Sequence, residues 1–229
     1  MSNPTAKPHH FGKSKQGFTL VEVLIVIAII SILMTGGAIG MKHILTGKNT
    51  STAISVSESL FNEARSLALA KRCNARLMVD INDPDNDNYL RRIVIAHQRI
   101  DIDGSIIEDE WIVASRGYKI PGNAHFSRTY SRLNNGDPVL TEEISAANID
   151  KTQYAGEYVY YEFNGEGIFQ NPGASFVIGA GIRGNGDAEP RTTKSDGKDF
   201  AGFVVWRNGR TSAFRNPDHI NIDENINTF

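Results

Sequence analysis

The hydrophobic pattern of the chain predicts one long helix followed by a series of short strands. Residues 18–41 form an apolar run in which Glu22 is the only charged side chain. Beyond this run, apolar residues recur at steps of three and four, at Ala53, Val56, Leu60, Ala64 and Leu67. Because such steps place side chains on one face of a helix, the two stretches predict a single helix from Phe18 to about Arg72, roughly 80 Å long. Four glycines predict either a local bend or close packing against another helix, at Gly36, Gly37, Gly40 and Gly47.

Short segments rich in β-branched and aromatic residues follow the helix, bounded by Gly, Asn, Asp or Pro. They are 75–81, 89–98, 110–115, 158–163, 174–180, 202–207 and 211–215. This pattern predicts an antiparallel β domain over residues 73–229, and Asn208-Gly209 predicts a hairpin turn. Residues 131–153 and 183–199 are polar and glycine-rich, and predict long surface loops or an insertion. The fold class is therefore α+β, with a long N-terminal helix packed on a mainly antiparallel sheet.

Composition and charge fit one membrane segment and one modest globular domain. The chain has 229 residues, 40% of them hydrophobic, and a net charge of −2. Residues 1–17 contain three lysines and no acid, so the remainder is more acidic than the total suggests. That balance argues against broad, nonspecific nucleic-acid binding by the globular part. The single cysteine, Cys73, can form no internal disulfide.

The apolar run is long enough to cross a bilayer. Its 24 residues give a helix of roughly 36 Å, against a hydrocarbon core of about 30 Å. A cleaved secretory signal would have a shorter apolar region followed by a small-residue cleavage site. A simple anchor leaves Glu22 unexplained, since a carboxylate at the centre of a bilayer costs about 2.5–3.5 kcal/mol. Lysines 7, 13 and 15 ahead of the helix predict a cytoplasmic N-terminus.

The stretch from Gly17 through Phe18-Thr19-Leu20-Val21-Glu22 closely resembles the class III signal of type IV pilins and type II secretion pseudopilins. The resemblance implies that a prepilin peptidase cleaves between Gly17 and Phe18, releases the basic leader 1–17 and N-methylates Phe18. A residue without a side chain at position 17 lets the backbone lie extended in the protease. The resemblance also implies that Glu22 pairs with the Phe18 amine of a neighbouring subunit, which makes a buried carboxylate tolerable and sets the assembly register.

Later segments narrow this resemblance to the minor pilins and pseudopilins of the H type. The segments are "LFNEARSLALAKRCNARLMVD" (60–80), "YYEFNGEGIF" (160–169) and "GFVVWRNGRTSAF" (202–214). They imply a pilin-like fold with a transmembrane helix over 18–41, its continuation outside the membrane over 42–72, and a β-rich extracytoplasmic domain over 73–229. The implied function is that of a non-catalytic structural subunit of a type II secretion pseudopilus or type IV pilus. An alternative is a minor pilin at the tip of a competence or adhesion pilus that binds DNA or a surface.

The resemblance also implies a location and a set of partners. The chain is expected in the bacterial inner membrane, with its N-terminus cytoplasmic and its C-terminal domain periplasmic, and then in the filament. Expected partners are the prepilin peptidase, other pilins or pseudopilins, the inner-membrane assembly platform and membrane lipid. No cofactor is predicted, and the calcium site that major pseudopilins of the G type often carry cannot be transferred to this sequence.

No pattern predicts a catalytic residue or a metal site. His97, His125 and His219 are scattered, and no serine lies in a nucleophile elbow. "GAGIRG" at 179–184 satisfies the letters of the dinucleotide fingerprint, but no helix start follows, so it predicts a strand end and a loop. "DPDNDN" at 83–88 lacks the glycine and glutamate that a calcium loop requires, and predicts a hairpin turn.

Six arginines raise the question of a DNA-binding strip. They are Arg91, Arg92, Arg99, Arg207, Arg210 and Arg215, with Trp206 or Phe214 available for stacking on bases. Alternation along a strand places neighbours such as Arg91 and Arg92 on opposite faces. The pattern therefore favours solvated strand residues over a continuous strip.

Overall fold

The computed structural model describes residues 20–192, 199–214 and 226–229, and the side chains of residues 32–48 are outside this description. It divides into two compact units, Met1–His43 and Ile44–Phe229. One helix, α1, covers Leu20–Lys71, as the apolar spacing predicts. The chain leaves the helix at Arg72, whose φ of 55° is the left-handed conformation common just after a helix.

The buried stripe of α1 is offset from the predicted one. Ala53 and Ala64 are fully buried as expected, but Leu60 and Leu67 are only partly buried. The centre of the stripe instead runs at steps of three and four through Ala53, Ser57, Phe61, Ala64 and Ala68. The large ring of Phe61 sets this face, because it packs against the aromatic rings of the strands.

The β domain has eleven strands and one short 3-10 helix in the described residues. They are β1 Ala75–Asp80, β2 Arg92–Ile100, β3 Ile106–Val113, β4 Tyr118–Lys119, β5 Ala124–Phe126, β6 Thr141–Ile144, the 3-10 helix Thr152–Tyr154, β7 Gly156–Phe163, β8 Ala174–Ile182, β9 Arg191–Thr192, β10 Phe200–Val205 and β11 Thr211–Phe214. A first sheet has the order β3-β2-β1-β7-β6, with β4 paired to β2, and a second has the order β11-β10-β8-β5, with β9 paired to β8. The pairings between these strands are antiparallel, which confirms the predicted fold class.

The seven predicted strands are present as β1, β2, β3, β7, β8, β10 and β11. The hairpin at Asn208-Gly209 is also confirmed, since β10 and β11 pair around it and Gly209 has a φ of 74°. Strand β2 begins at Arg92, later than predicted, because Leu90 takes a φ of 57° and leaves the strand conformation. The strands β4, β5, β6 and β9 are short and carry too little alternation to be predicted.

The 131–153 segment is more than a surface loop. It contributes β6 to the edge of the first sheet, and Ile144 and Ile149 are buried in a cluster with Met78 and Trp111. This cluster lies on the face of the first sheet that points away from the main core. Both faces of the first sheet are therefore partly covered by apolar packing.

The main core lies between the two sheets and the C-terminal half of α1. Phe61 is fully buried, and its ring contacts rings from both sheets. The ring centroids lie 5.1 Å from Tyr161, 6.3 Å from Phe163, 6.5 Å from Phe169, 5.5 Å from Phe176 and 5.1 Å from Phe203. All five pairs are edge-to-face, the arrangement that aromatic quadrupoles favour.

Candidate functional site

The N-terminal segment holds the residues predicted to carry processing and assembly. Gly17 and Phe18 lie outside the described residues, so the structure does not place the predicted cleavage and methylation site. Glu22 is the acidic residue in the first described turn of α1, and it is exposed. A carboxylate in the first turn of a helix is stabilised by the positive end of the helix dipole.

The start of α1 presents a continuous apolar surface. Nine large apolar side chains between residues 20 and 30 are 45–77% exposed. They are Leu20, Val21, Val23, Leu24, Ile25, Val26, Ile27, Ile29 and Ile30. A helix that is apolar on all sides is normally covered by other protein or by lipid, so this surface is suited to association. Within the part of the chain that the structure describes, no helix has the length and hydropathy of a membrane span.

Five of the six arginines of the suspected DNA-binding strip lie in the described residues, and they are divided between the two sheets. The arginines in and next to β2 already have partners. Arg91 forms an ion pair with Asp87 at 2.6 Å, and Arg99 forms one with Glu110 at 2.6 Å. The guanidinium of Arg92 lies 4.5 Å from the ring centroid of Tyr154. Arg207 and Arg210 belong to the β10–β11 turn of the second sheet, and Arg215 lies outside the described residues. Phe214 is only 9% exposed, so its ring is not available for stacking on a base. The prediction of solvated strand residues does not fit Arg91, which lies outside β2 and whose side chain is only 15% exposed.

"DPDNDN" forms the turn between β1 and β2, which confirms the turn prediction. The side chains of Asp83 and Asn86 accept hydrogen bonds from backbone N–H groups two residues ahead, at 2.9 Å each. Such contacts stabilise turns locally. Among the described residues, no three metal-ligating side chains cluster in a way that would hold a metal ion.

"GAGIRG" is a strand end and a loop, also as predicted, because β8 continues through Ile182 and residues 183–192 contain no helix. The structure gives its glycines a role that sequence reasoning missed. A Cβ atom at Gly179 or at Gly181 would lie 2.7 Å from the ring of Phe229. The signal in the sequence was the alternation of glycines at 179 and 181, since glycine at every second strand position marks the close approach of another group.

A polar cleft of about 340 Å³ lies beside the 83–88 turn, β5 and the end of β8. His125 in this cleft is 6% exposed, with Nδ1 3.1 Å from the Asn123 carbonyl oxygen. Burial, reinforced by the positive charge of Arg91, lowers the pKa of His125 to about 4. Arg183 donates hydrogen bonds to the carbonyls of Pro84 and Asn86, so it fastens the turn to β8.

His97 and Cys73 are buried next to each other. The sulfur of Cys73 lies 3.9 Å from His97 Nδ1, which also lies 2.7 Å from the backbone oxygen of Gln98. Burial raises the pKa of the Cys73 thiol, so the unreactive thiol form dominates at neutral pH. His97 and His125 lie on different sheets, and His219 lies outside the described residues.

Comparison with known proteins matches the N-terminal segment alone. Residues 12–38 match the family model of the prokaryotic N-terminal methylation motif. The matched range contains Gly17, Phe18 and Glu22, and it ends before the β domain. No curated protein and no solved structure matches the chain. The chain therefore carries a class III signal peptide, of the kind found in type IV pilins and pseudopilins.

Proposed function

We propose that this protein is a non-catalytic structural subunit, a minor pseudopilin or minor pilin, of a type II secretion pseudopilus or a type IV pilus. A prepilin peptidase cleaves it between Gly17 and Phe18 and methylates Phe18, and the processed chain assembles with other pilins through α1. Before assembly it resides in the bacterial inner membrane, with a periplasmic β domain. The observation that carries this proposal is the methylation motif over residues 12–38.

The described part of α1 supports assembly through this helix. Its apolar side chains between residues 20 and 30 are exposed on all sides, and leaving them in water is unfavourable by about 25 cal/mol for each Å². Association with the matching helices of neighbouring subunits, or with lipid, removes this surface from water. The compact unit from Ile44 onwards has its own hydrophobic core, which contains none of these residues.

Glu22 gives the association a register in this proposal. In a packed bundle of helices a carboxylate is tolerated when a cation neutralises it, and the Phe18 amine of the adjacent subunit supplies that cation. A subunit displaced along the bundle would leave both charges buried and unpaired. Specificity then arises because incorrect arrangements are unfavourable.

Processing is tested by intact-mass measurement of the protein purified from membranes. We expect a chain that begins at Phe18 and carries one added methyl group. A mature product that retains Lys7 to Gln16 would contradict the proposal. Replacing Gly17 by a bulky residue, as in Gly17→Leu, should block cleavage while leaving the β domain unchanged.

The role of Glu22 is tested with Glu22→Gln, expressed at the same membrane level as the wild type. We expect normal cleavage after Gly17 but a loss of incorporation into sheared filaments. An unpaired buried charge costs about 3–5 kcal/mol, which is a few hundred-fold or more in an assembly equilibrium. Ser31→Ala is the matched control, because the Ser31 hydroxyl donates to the Ile27 carbonyl of its own helix at 2.8 Å. Equal incorporation of Glu22→Gln and Ser31→Ala would refute the register role.

The DNA-binding alternative receives less support. The arginines in and next to β2 contact carboxylates and an aromatic ring of the same chain, and Arg207 and Arg210 lie in the turn between two strands of the other sheet. Binding DNA through β2 would require these internal contacts to break.

A further inference from the structure

The residues Ile226-Asn227-Thr228-Phe229, called here the INTF segment, are bound to the outer face of the second sheet. Phe229 is 1% exposed, and its ring lies edge-on to that of Phe200, with centroids 4.9 Å apart. The two rings belong to an apolar cluster that also contains Val177, Phe214 and, at its margin, Tyr130 and Ile226. The INTF segment thus covers an apolar surface that β8, β10 and β11 would otherwise expose.

The floor of this site is shaped for a ring. Gly179 and Gly181 of β8 lie directly beneath Phe229, and a Cβ on either would approach the ring to 2.7 Å. A Cβ on Gly179 would also meet the Phe200 ring at 2.4 Å. Real Cβ atoms do not come this close to another group, so the paired glycines create the depression that holds Phe229.

The backbone of the INTF segment is held as an added strand. The Thr192 N–H donates to the Asn227 carbonyl at 2.9 Å, and the Thr192 hydroxyl donates to the Ile226 carbonyl at 3.0 Å. The Phe229 N–H donates to the Pro190 carbonyl at 3.1 Å, and Arg191 and Thr228 form an antiparallel bridge. Proteins that recognise a peptide by strand addition gain affinity from main-chain hydrogen bonds and selectivity from a pocket for a side chain, and the INTF segment has both kinds of contact.

We propose that the groove formed by Gly179, Gly181, Phe200 and β9 is a peptide-binding site, and that the INTF segment of a second copy of this chain occupies it when subunits meet. Every copy carries the same segment, so the chemistry of recognition is identical within one chain and between two. Exchange of an identical element between protomers forms an interface without any new type of contact. The groove and the segment that fills it lie in the β domain, outside the N-terminal motif.

Chain length permits the exchange. Residues 215–225 are eleven residues between β11 and the INTF segment. With the flanking bonds they span at most about 40 Å whatever their conformation, whereas a domain of this size has a radius of gyration of about 16 Å. When the INTF segment of one copy enters the groove of a second copy, the second copy's own segment is displaced and can enter the groove of a third copy. Repetition of this step in one direction produces an open chain of subunits.

Cysteine crosslinking tests the exchange on full-length chains in detergent, in a Cys73→Ser background. Arg191→Cys is introduced in one preparation and Thr228→Cys in another, because paired strand residues have the Cα separation that a disulfide requires. Mixing the two under mild oxidation should yield a disulfide-linked dimer. Thr228→Cys mixed with Ser66→Cys, an exposed position on α1, gives the background from random collision.

Phe229 supplies a second test, because its ring fills the groove. Adding Phe229→Ala to the Arg191→Cys chain should raise dimer formation with Thr228→Cys, by up to about tenfold, because the burial of one phenylalanine side chain contributes about this factor to binding and that chain's own segment then competes less well for its groove. A dimer yield equal to the Ser66→Cys background would overturn the proposal. So would crosslinking confined to a single chain that carries both Arg191→Cys and Thr228→Cys, since the segment would then stay in its own groove. Failure of that double variant to crosslink at all would overturn the groove itself.

Discussion

Replacing Phe61 by alanine should destabilise the β domain more than any exposed change on α1. The side chain is completely buried and contacts five aromatic rings, four of them on strands of the two sheets, with centroid distances from 5.1 to 6.5 Å. Truncation of a buried phenylalanine to alanine costs about 3–5 kcal/mol, through lost transfer energy and the cavity that remains. We expect a value near the upper end, because the surrounding rings are held by strands and cannot collapse into the space.

The size of this loss is large relative to total stability. Native domains are stable by about 5–15 kcal/mol, so Phe61→Ala would remove a third or more of the free energy of unfolding. Phe61→Leu keeps most of the volume and should cost about 1–2 kcal/mol. Asn62→Ala, at the exposed neighbouring position of the same helix, should change stability by no more than about 0.5 kcal/mol.

Guanidinium unfolding of the full-length protein in detergent, followed by tryptophan fluorescence, measures these differences. A shift in the midpoint at constant slope reports a change in stability rather than in the surface exposed on unfolding. Equal unfolding midpoints for Phe61→Ala and Asn62→Ala would refute the assignment of Phe61 to the centre of the core. The helix would then pack through another face, such as the one predicted from Leu60 and Leu67.

Two further predictions concern buried polar groups. Because the pKa of His125 is lowered to about 4 in the folded state, the unfolded chain binds a proton at a higher pH than the folded chain does. The free energy of unfolding should therefore fall by up to roughly 3 kcal/mol as pH drops from 6.5 to 4. His125→Gln should remove this part of the pH dependence, and an unchanged pH dependence would contradict the lowered pKa of His125. Arg76 pairs with Glu162, both side chains being 12–13% exposed, and lies 4.1 Å from the ring centroid of Trp111. Arg76→Met should lower the free energy of unfolding by about 3–5 kcal/mol, because it leaves the largely buried Glu162 carboxylate without its cation. The double variant Arg76→Met, Glu162→Gln should lose clearly less than the sum of the two single variants. Additive losses, measured by denaturant unfolding, would show that the two side chains are not coupled.

Local features of the sequence were sufficient to predict the helix, most of the strands and the N-terminal motif. Helical spacing, alternation and the Asn208-Gly209 turn depend on neighbouring residues alone, and the structure confirms each of them. The segment from Gly17 to Glu22 was recognisable for the same reason, since the motif is a short linear stretch of chain. The family model matches this region and no part of the β domain.

The tertiary structure decided which residues meet across long distances in the chain. Periodicity placed Leu60 on the buried stripe, and this was wrong, because the rings that the two sheets bring to the helix make Phe61 its centre. The glycines of "GAGIRG" could be assigned to a strand end from the sequence. Only the structure shows that Gly179 and Gly181 leave room for the ring of Phe229, which is some fifty residues away in the chain. Side-chain contacts between distant segments are set by the packing of the whole domain, and a local pattern carries no information about its partner.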